Sequence, residues 1–165
     1  MAMQEVIDIA EFTRLGRMLS GEVAVRDLSR LKDLIVAGDQ HMRYEIRGGL
    51  SARREPQITC IICGFVALTC QRCFKAFEHR VDTHSTLIFV SDESKLPPVE
   101  DEDESTDYIV AKSPLGVQAL VEDEVILALP ISPRHETGKC GESALGPTSA
   151  DRSSPFAALA TLKRR

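Results

Sequence analysis

Ile58-Thr59-Cys60-Ile61-Ile62-Cys63-Gly64-Phe65-Val66-Ala67-Leu68-Thr69-Cys70-Gln71-Arg72-Cys73-Phe74-Lys75-Ala76-Phe77 is the stretch that decides the fold. From Ile58 to Thr69 the residues are β-branched or apolar in type, the composition of a buried strand. Gly64 interrupts this run and predicts a bulge or bend. The run breaks at Cys70-Gln71-Arg72-Cys73, and strand character resumes from Ala76 to Val90. Two apolar runs flanking so short a polar break form an antiparallel hairpin with the cysteines at its tip. The uncharged stretch from Pro56 to Gln71 is 16 residues long. A bilayer span needs about 20 mostly apolar residues, so this stretch reads as strand.

Working toward the N-terminus, Met42 to Ile46 alternates polar and apolar residues and reads as a half-buried strand before Gly48-Gly49. Arg26 to Val36 places Leu28, Leu31, Leu34 and Ile35 at helical spacing. Gly21 to Val25 alternates weakly, Ala10 to Leu19 has the composition of a short helix, and Val6 to Ile9 reads as a strand. Toward the C-terminus, Ser91 to Asp107 is a linker with Pro97-Pro98 and five consecutive acids, Glu100-Asp101-Glu102-Asp103-Glu104, a pattern expected of a mobile solvated loop. Asp107 to Val110 suits a further strand. Leu115 to Leu129 is the main helix, ended by Pro130. A flexible segment over 141–154 and one or two helical turns over Pro155 to Leu162 complete the chain. The expected fold is α+β: one domain over 1–165, a mostly antiparallel sheet, one main helix at about 115–129 and short N-terminal helices.

Composition narrows the function. The 165 residues carry a net charge of −5, and 11 of the 25 acids lie within 91–134 against 3 of the 20 Lys/Arg. An acidic chain argues against broad, sequence-independent phosphate binding, although a local basic patch remains compatible. With no Trp and two Tyr, aromatic platforms for single-stranded nucleic acid are few, and Phe74 and Phe77 are expected in the core. The start, Met1-Ala2-Met3-Gln4-Glu5-Val6, has neither the basic nor the apolar region of a secretory signal, so the cytoplasm is the expected address, where thiols stay reduced.

Four of the five cysteines form two C-x-x-C pairs, Cys60/Cys63 and Cys70/Cys73. On a regular strand Cys60 and Cys63 face opposite ways, so they read as packing residues. Cys70 and Cys73 lie at a polar turn, where both sulfurs can point at one ion. Two ligands do not close a tetrahedral site, and His135 and Cys140 are the soft donors available to complete it. Zinc is the candidate cofactor for this Cys₃His set, tying the downstream loop to the hairpin. Free half-buried thiols and a Cys70–Cys73 redox pair are the alternatives. His41, His79 and His84 share no spacing. Glu122-Asp123-Glu124 splay around a helix and read as its charged edge; any one that turned inward would need a basic partner. Nucleotide-loop, nucleophile-elbow and zincin motifs are missing from the sequence, so no enzyme is expected and no small-molecule substrate.

Three blocks carry a family resemblance. They are Leu68 to Phe77 with its polar C-x-x-C; Val121-Glu122-Asp123-Glu124-Val125-Ile126-Leu127-Ala128-Leu129-Pro130-Ile131-Ser132-Pro133-Arg134-His135, leading to Cys140; and Pro155-Phe156-Ala157-Ala158-Leu159-Ala160-Thr161-Leu162-Lys163. In order and spacing they resemble the bacterial YceD family, the large ribosomal RNA subunit accumulation proteins, with Cys60 and Cys63 as an addition of this chain. The resemblance implies a non-catalytic cytoplasmic role in synthesis, processing or stability of 23S ribosomal RNA, with ribosomal RNA or large-subunit ribosomal proteins as partners and no membrane. Within that reading Glu100, Asp101, Glu102, Asp103 and Glu104 are the candidates for meeting a basic partner. Arg72, Lys75, Arg80, Lys163, Arg164 and Arg165, together with Arg53 and Arg54, are the candidates for touching RNA. A zinc-knuckle RNA-binding protein and a thiol-based redox or metal-binding protein are the alternatives.

Overall fold

A computed structural model of the chain describes residues 5–36, 38–98, 106–136 and 140. In chain order they form β1 (Val6–Ile7), α1 (Ile9–Arg14), β2 (Met18–Ala24), β3 (His41–Leu50), β4 (Pro56–Thr69), β5 (Ala76–Val90), β6 (Thr106–Val110), β7 (Leu115–Gly116) and α2 (Val117–Ala128). The protein is α+β. Its five-stranded sheet has the order β2-β3-β4-β5-β6, antiparallel throughout except for the parallel β5–β6 pair, and β1 and β7 make a small antiparallel ribbon.

The hairpin is the long axis of this sheet. β4 and β5 pair continuously from Gln57↔Ile88 to Thr69↔Ala76. Even-numbered residues of β4 face the core, and Ile58, Cys60, Ile62, Val66 and Leu68 are all buried. They meet Met42 and Ile46 of β3 and Val81 and Leu87 of β5 in one cluster, covered by Ile9 and Phe12 of α1 and by Val117, Leu120, Val121 and Val125 of α2. The opposite face, with Arg43, Arg47, Glu78, Arg80 and Asp82, is exposed. One-sided burial of this kind is what an antiparallel sheet permits.

Gly64 does not mark a bulge, because the register on both sides of β4 runs through it unbroken, Met42↔Gly64 and Gly64↔Val81. Its role is close approach: a Cβ there would lie 2.6 Å from the Met42 sulfur and 2.7 Å from the His41 carbonyl oxygen.

Two helical expectations are corrected. The region from Ala10 to Leu19 divides, with a short helix from Ile9 to Arg14 and then β2. Asp8 caps the helix start by accepting the Glu11 N–H at 2.8 Å. Gly16, at φ 58°, ends it in a left-handed turn in which Arg17 N–H bonds the Phe12 carbonyl and Gly16 N–H the Thr13 carbonyl. The stretch from Arg26 to Val36 is not an α-helix. It forms two 3₁₀ turns, Val25–Asp27 and Ser29–Leu31, separated by extended backbone at Leu28. From residue 25 to residue 31 every third residue, Val25, Leu28 and Leu31, is fully buried, the period of a 3₁₀ turn, and Leu34, beyond the second turn, is half exposed. Side chains of α2 fix this arrangement: Gln118 donates to the Asp27 carbonyl at 2.7 Å, and Glu122 accepts the Arg30 backbone N–H at 2.6 Å.

The linker beginning at Ser91 folds into a 3₁₀ turn at Glu93–Lys95 capped by Asp92. The acidic run Glu100 to Glu104, the flexible segment 141–154, and the tail helix with Lys163, Arg164 and Arg165 lie outside the described residues.

The close approach at Gly64 yields an expected outcome. Gly64→Ala destabilises the protein by about 1–3 kcal/mol, since the flexible Met42 side chain can retreat but the His41 carbonyl cannot. An unchanged denaturant midpoint would contradict the tight packing of β3 on β4.

Candidate metal centre

The cysteines of the hairpin tip are placed by the turn that joins β4 to β5. Cys70 N–H bonds the Lys75 carbonyl at 3.0 Å, and Phe74 N–H bonds the Cys70 carbonyl at 2.9 Å. Arg72 N–H points at the Cys70 sulfur at 3.4 Å. The segment after α2 comes to this turn from outside, with Gln71 N–H donating to the Pro133 carbonyl at 2.8 Å. That contact delivers His135, and Cys140 follows.

Cys70, Cys73, His135 and Cys140 offer four donor atoms that all lie within 4.8 Å of one another, the one such group among the described residues. Sγ of Cys70 is 3.6 Å from Sγ of Cys140, and Nδ1 of His135 is 3.4 Å from Sγ of Cys73 and 3.6 Å from Sγ of Cys140. A tetrahedral ion with bonds of about 2.3 Å to sulfur and 2.0–2.1 Å to nitrogen separates its donors by about 3.8 Å (S···S) and 3.6 Å (S···N). These three spacings lie near that geometry, and the sulfur–sulfur one exceeds by far the ~2.05 Å of a disulfide; the cysteines are free thiols. The cluster can hold a metal ion.

Its surroundings favour a thiolate at Cys70. Burial pushes the Cys70 thiol up, but the N–H groups of His135, Cys73 and Arg72 and the His135 ring outweigh it and bring the thiol down to about 5. The Lys75 N–H draws Cys73 down, while burial and the neighbouring Cys70 and Cys140 sulfurs leave it, on balance, raised. Arg72 Nε donates to the Cys140 sulfur at 3.0 Å. With a dication bound, three thiolates would leave one net negative charge, which this guanidinium would offset. Phe77 packs against the His135 ring at 4.8 Å, tilted 41°. Sequence reasoning missed Phe77 and Arg72 in these positions; the only trace was an aromatic four residues after Cys73.

The other singled-out residues lie elsewhere. Cys60 is buried on the inner face of β4, its thiol pushed up to about 12 by burial and by the Glu124 charge, and Cys63 faces outward on the same strand, half exposed. His41 and His84 are exposed, and His79 meets Phe77 edge-on at 6.5 Å. Arg53 and Arg54 occupy the β3–β4 turn, a 14-residue strand away from the tip. Arg80 pairs with Asp82 on the outer sheet face.

The acidic triplet of α2 is not a charged edge. Glu122 and Glu124 are both 6% exposed, and only Asp123 faces solvent, within 2.6 Å of Arg30. Glu122 has the basic partner it requires, accepting both the backbone N–H and Nε of Arg30. Glu124 turns toward Ser85 and Cys60, and burial raises its pKa, aided by the Asp107 and Asp123 charges and partly offset by the Ser85 hydroxyl. No helix among the described residues is long and apolar enough to cross a membrane.

Fold and site define a class: α+β proteins with one main sheet whose longest hairpin ends in a thiol–imidazole cluster closed by a downstream loop. Residues 58–163 match the family described as "Large ribosomal RNA subunit accumulation protein YceD", and the chain belongs to the YceD family. A Haemophilus influenzae protein of that same name is 28% identical over 159 residues, covering 88% of this chain and 87% of its own length. No solved structure matches the chain.

Glu124 gives a pH-dependent outcome. Its folded-state pKa is raised, so its contribution is most favourable below the unfolded value near 4.3 and is lost as pH rises through the folded value. Glu124→Gln removes that dependence. Urea midpoints of the two proteins are expected to diverge in the variant's favour as pH climbs from 4 to above neutrality; a constant difference would show that Glu124 is not strained by burial.

Proposed function

We propose that the protein is a non-enzymatic accessory factor in synthesis, processing or stability of 23S ribosomal RNA, acting by binding in the bacterial cytoplasm, and that zinc in the Cys70–Cys73–His135–Cys140 cluster is its structural clamp. The match over residues 58–163 to a family named for accumulation of large-subunit ribosomal RNA carries the functional part. The donor spacing carries the zinc part: a Cys70–Cys73 redox pair alone would leave His135 and Cys140 gathered at the tip without a role. The binding reading also agrees with the use of Glu122, which is engaged in holding Arg30. Within this proposal the acidic run Glu100 to Glu104 steers the protein toward a basic large-subunit ribosomal protein, an attraction that salt screens.

Two measurements test the parts separately. Depleting the protein in cells is expected to lower 23S relative to 16S ribosomal RNA; an unchanged ratio rejects the ribosomal role. Protein purified without chelators is expected to carry about one zinc per chain, reduced by Cys70→Ser, Cys73→Ser, Cys140→Ser or His135→Ala and retained in Cys60→Ser and Cys63→Ser. A zinc content near zero in the unaltered protein rejects the clamp.

A further inference from the structure

The metal cluster leaves one feature of the tip unexplained. Phe74, expected in the core, has 74% of its surface exposed and sits at φ 56°. A bulky residue in left-handed backbone is strained, and no burial of its ring compensates. The strain persists because the turn fixes it from both sides, through the Phe74 N–H to Cys70 carbonyl bond and the Cys70 N–H to Lys75 carbonyl bond. The result is an aromatic ring carried into solvent on a fixed stretch of backbone.

Its neighbours are cationic. Residues 68–77 contain Arg72 and Lys75 and no acid. Arg134 adjoins Pro133, whose carbonyl is tied to Gln71, and Ile131 on the same segment is wholly exposed. Lys75 and Arg134 are exposed and form no ion pair among the described residues. Glu78 and Glu136 are the acids at the margins. An exposed ring with exposed cations on the same tip is the combination that stacks an unpaired base and meets its phosphates.

We propose that the hairpin tip binds unpaired RNA, with Phe74 stacking on one nucleobase and Lys75 and Arg134 contacting the flanking phosphates. This rests on the ribosomal reading above and names RNA as the partner of the tip. The contact is local, since the chain as a whole is acidic. Two phosphate contacts correspond to a slope of roughly −1.4 in log affinity against log salt for a single strand.

The test uses full-length protein as purified and a labelled, unpaired RNA oligonucleotide, with the same sequence as duplex for comparison. Wild-type protein is expected to prefer the single strand. Phe74→Leu, which keeps apolar bulk and loses the π face, is expected to weaken binding roughly ten-fold or more, and Phe74→Trp to retain it. Lys75→Ala combined with Arg134→Ala is expected to flatten the salt dependence. Zinc content and melting temperature stay unchanged in each, because these side chains are exposed. Binding of Phe74→Leu equal to wild type overturns the proposal, and so does a wild-type protein that binds no RNA or crosslinks at position 74 only to protein. Those results leave the ribosomal role standing, which the 23S to 16S ratio in depleted cells decides independently.

Discussion

The pairing of β4 with β5 is the constraint on which the molecule depends. Its register, held from Gln57↔Ile88 to Thr69↔Ala76, decides which face of β4 enters the core and where the chain must turn. A slip of one residue would expose Ile58, Ile62, Val66 and Leu68 together and bury Thr59, Cys63 and Phe65 in their place. It would also move the turn away from Cys70-Gln71-Arg72-Cys73, so that the sulfurs no longer shared a side. Packing at one end of the hairpin and ligand geometry at the other are thus set by the same ladder of hydrogen bonds.

The second half of the site comes from a distance of 62 residues between Cys73 and His135. Loop closure over such a length grows in cost only slowly with the residues enclosed, and here most of the intervening chain is already fixed. β5 returns along β4, β6 adds beside it in parallel, and α2 lies across the inner face. Glu122 and Gln118 then lock α2 to the 3₁₀ turns at residues 25–31, which sets the direction in which the chain leaves the helix. Beyond the helix the chain reaches the tip, where the Gln71 N–H donates to the Pro133 carbonyl at 2.8 Å.

Much of this was legible in the sequence for a simple reason. Strand-type residues over Ile58–Thr69, the polar C-x-x-C and the apolar face of α2 are local patterns with a single consistent reading. The meeting of Cys70, Cys73, His135 and Cys140 was legible because few soft donors were available beside the polar C-x-x-C. What the sequence concealed depended on partners remote in the chain. Leu28 and Leu31 fit a helical period as well as a 3₁₀ one, and the choice was made by Gln118 and Glu122 some ninety residues later. Glu122 and Glu124 read as exposed because the half-turn burying them is polar in composition. Gly64 read as a bulge because a glycine needed for close approach looks the same as one needed for bending. Phe74 was misjudged because aromatic type predicts burial, whereas its backbone is fixed by the knuckle.

The tip also lacks what stabilises the rest of the hairpin. The buried cluster extends to Leu68, with Phe77 packed partly against it; beyond that point Gln71, Arg72, Phe74 and Lys75 are all exposed. Hydrophobic burial cannot define the conformation of so polar a turn, and an isolated two-stranded end is marginal in water. Three sulfurs and an imidazole gather there, and an ion held among them would supply definition where the core runs out, since coordination is directional and burial is not. The same logic accounts for a strained Phe74 held in solvent: such a conformation survives only where its surroundings over-determine it. Contacts from Cys70, Lys75 and the closing loop do so in a region with no other reason to be rigid.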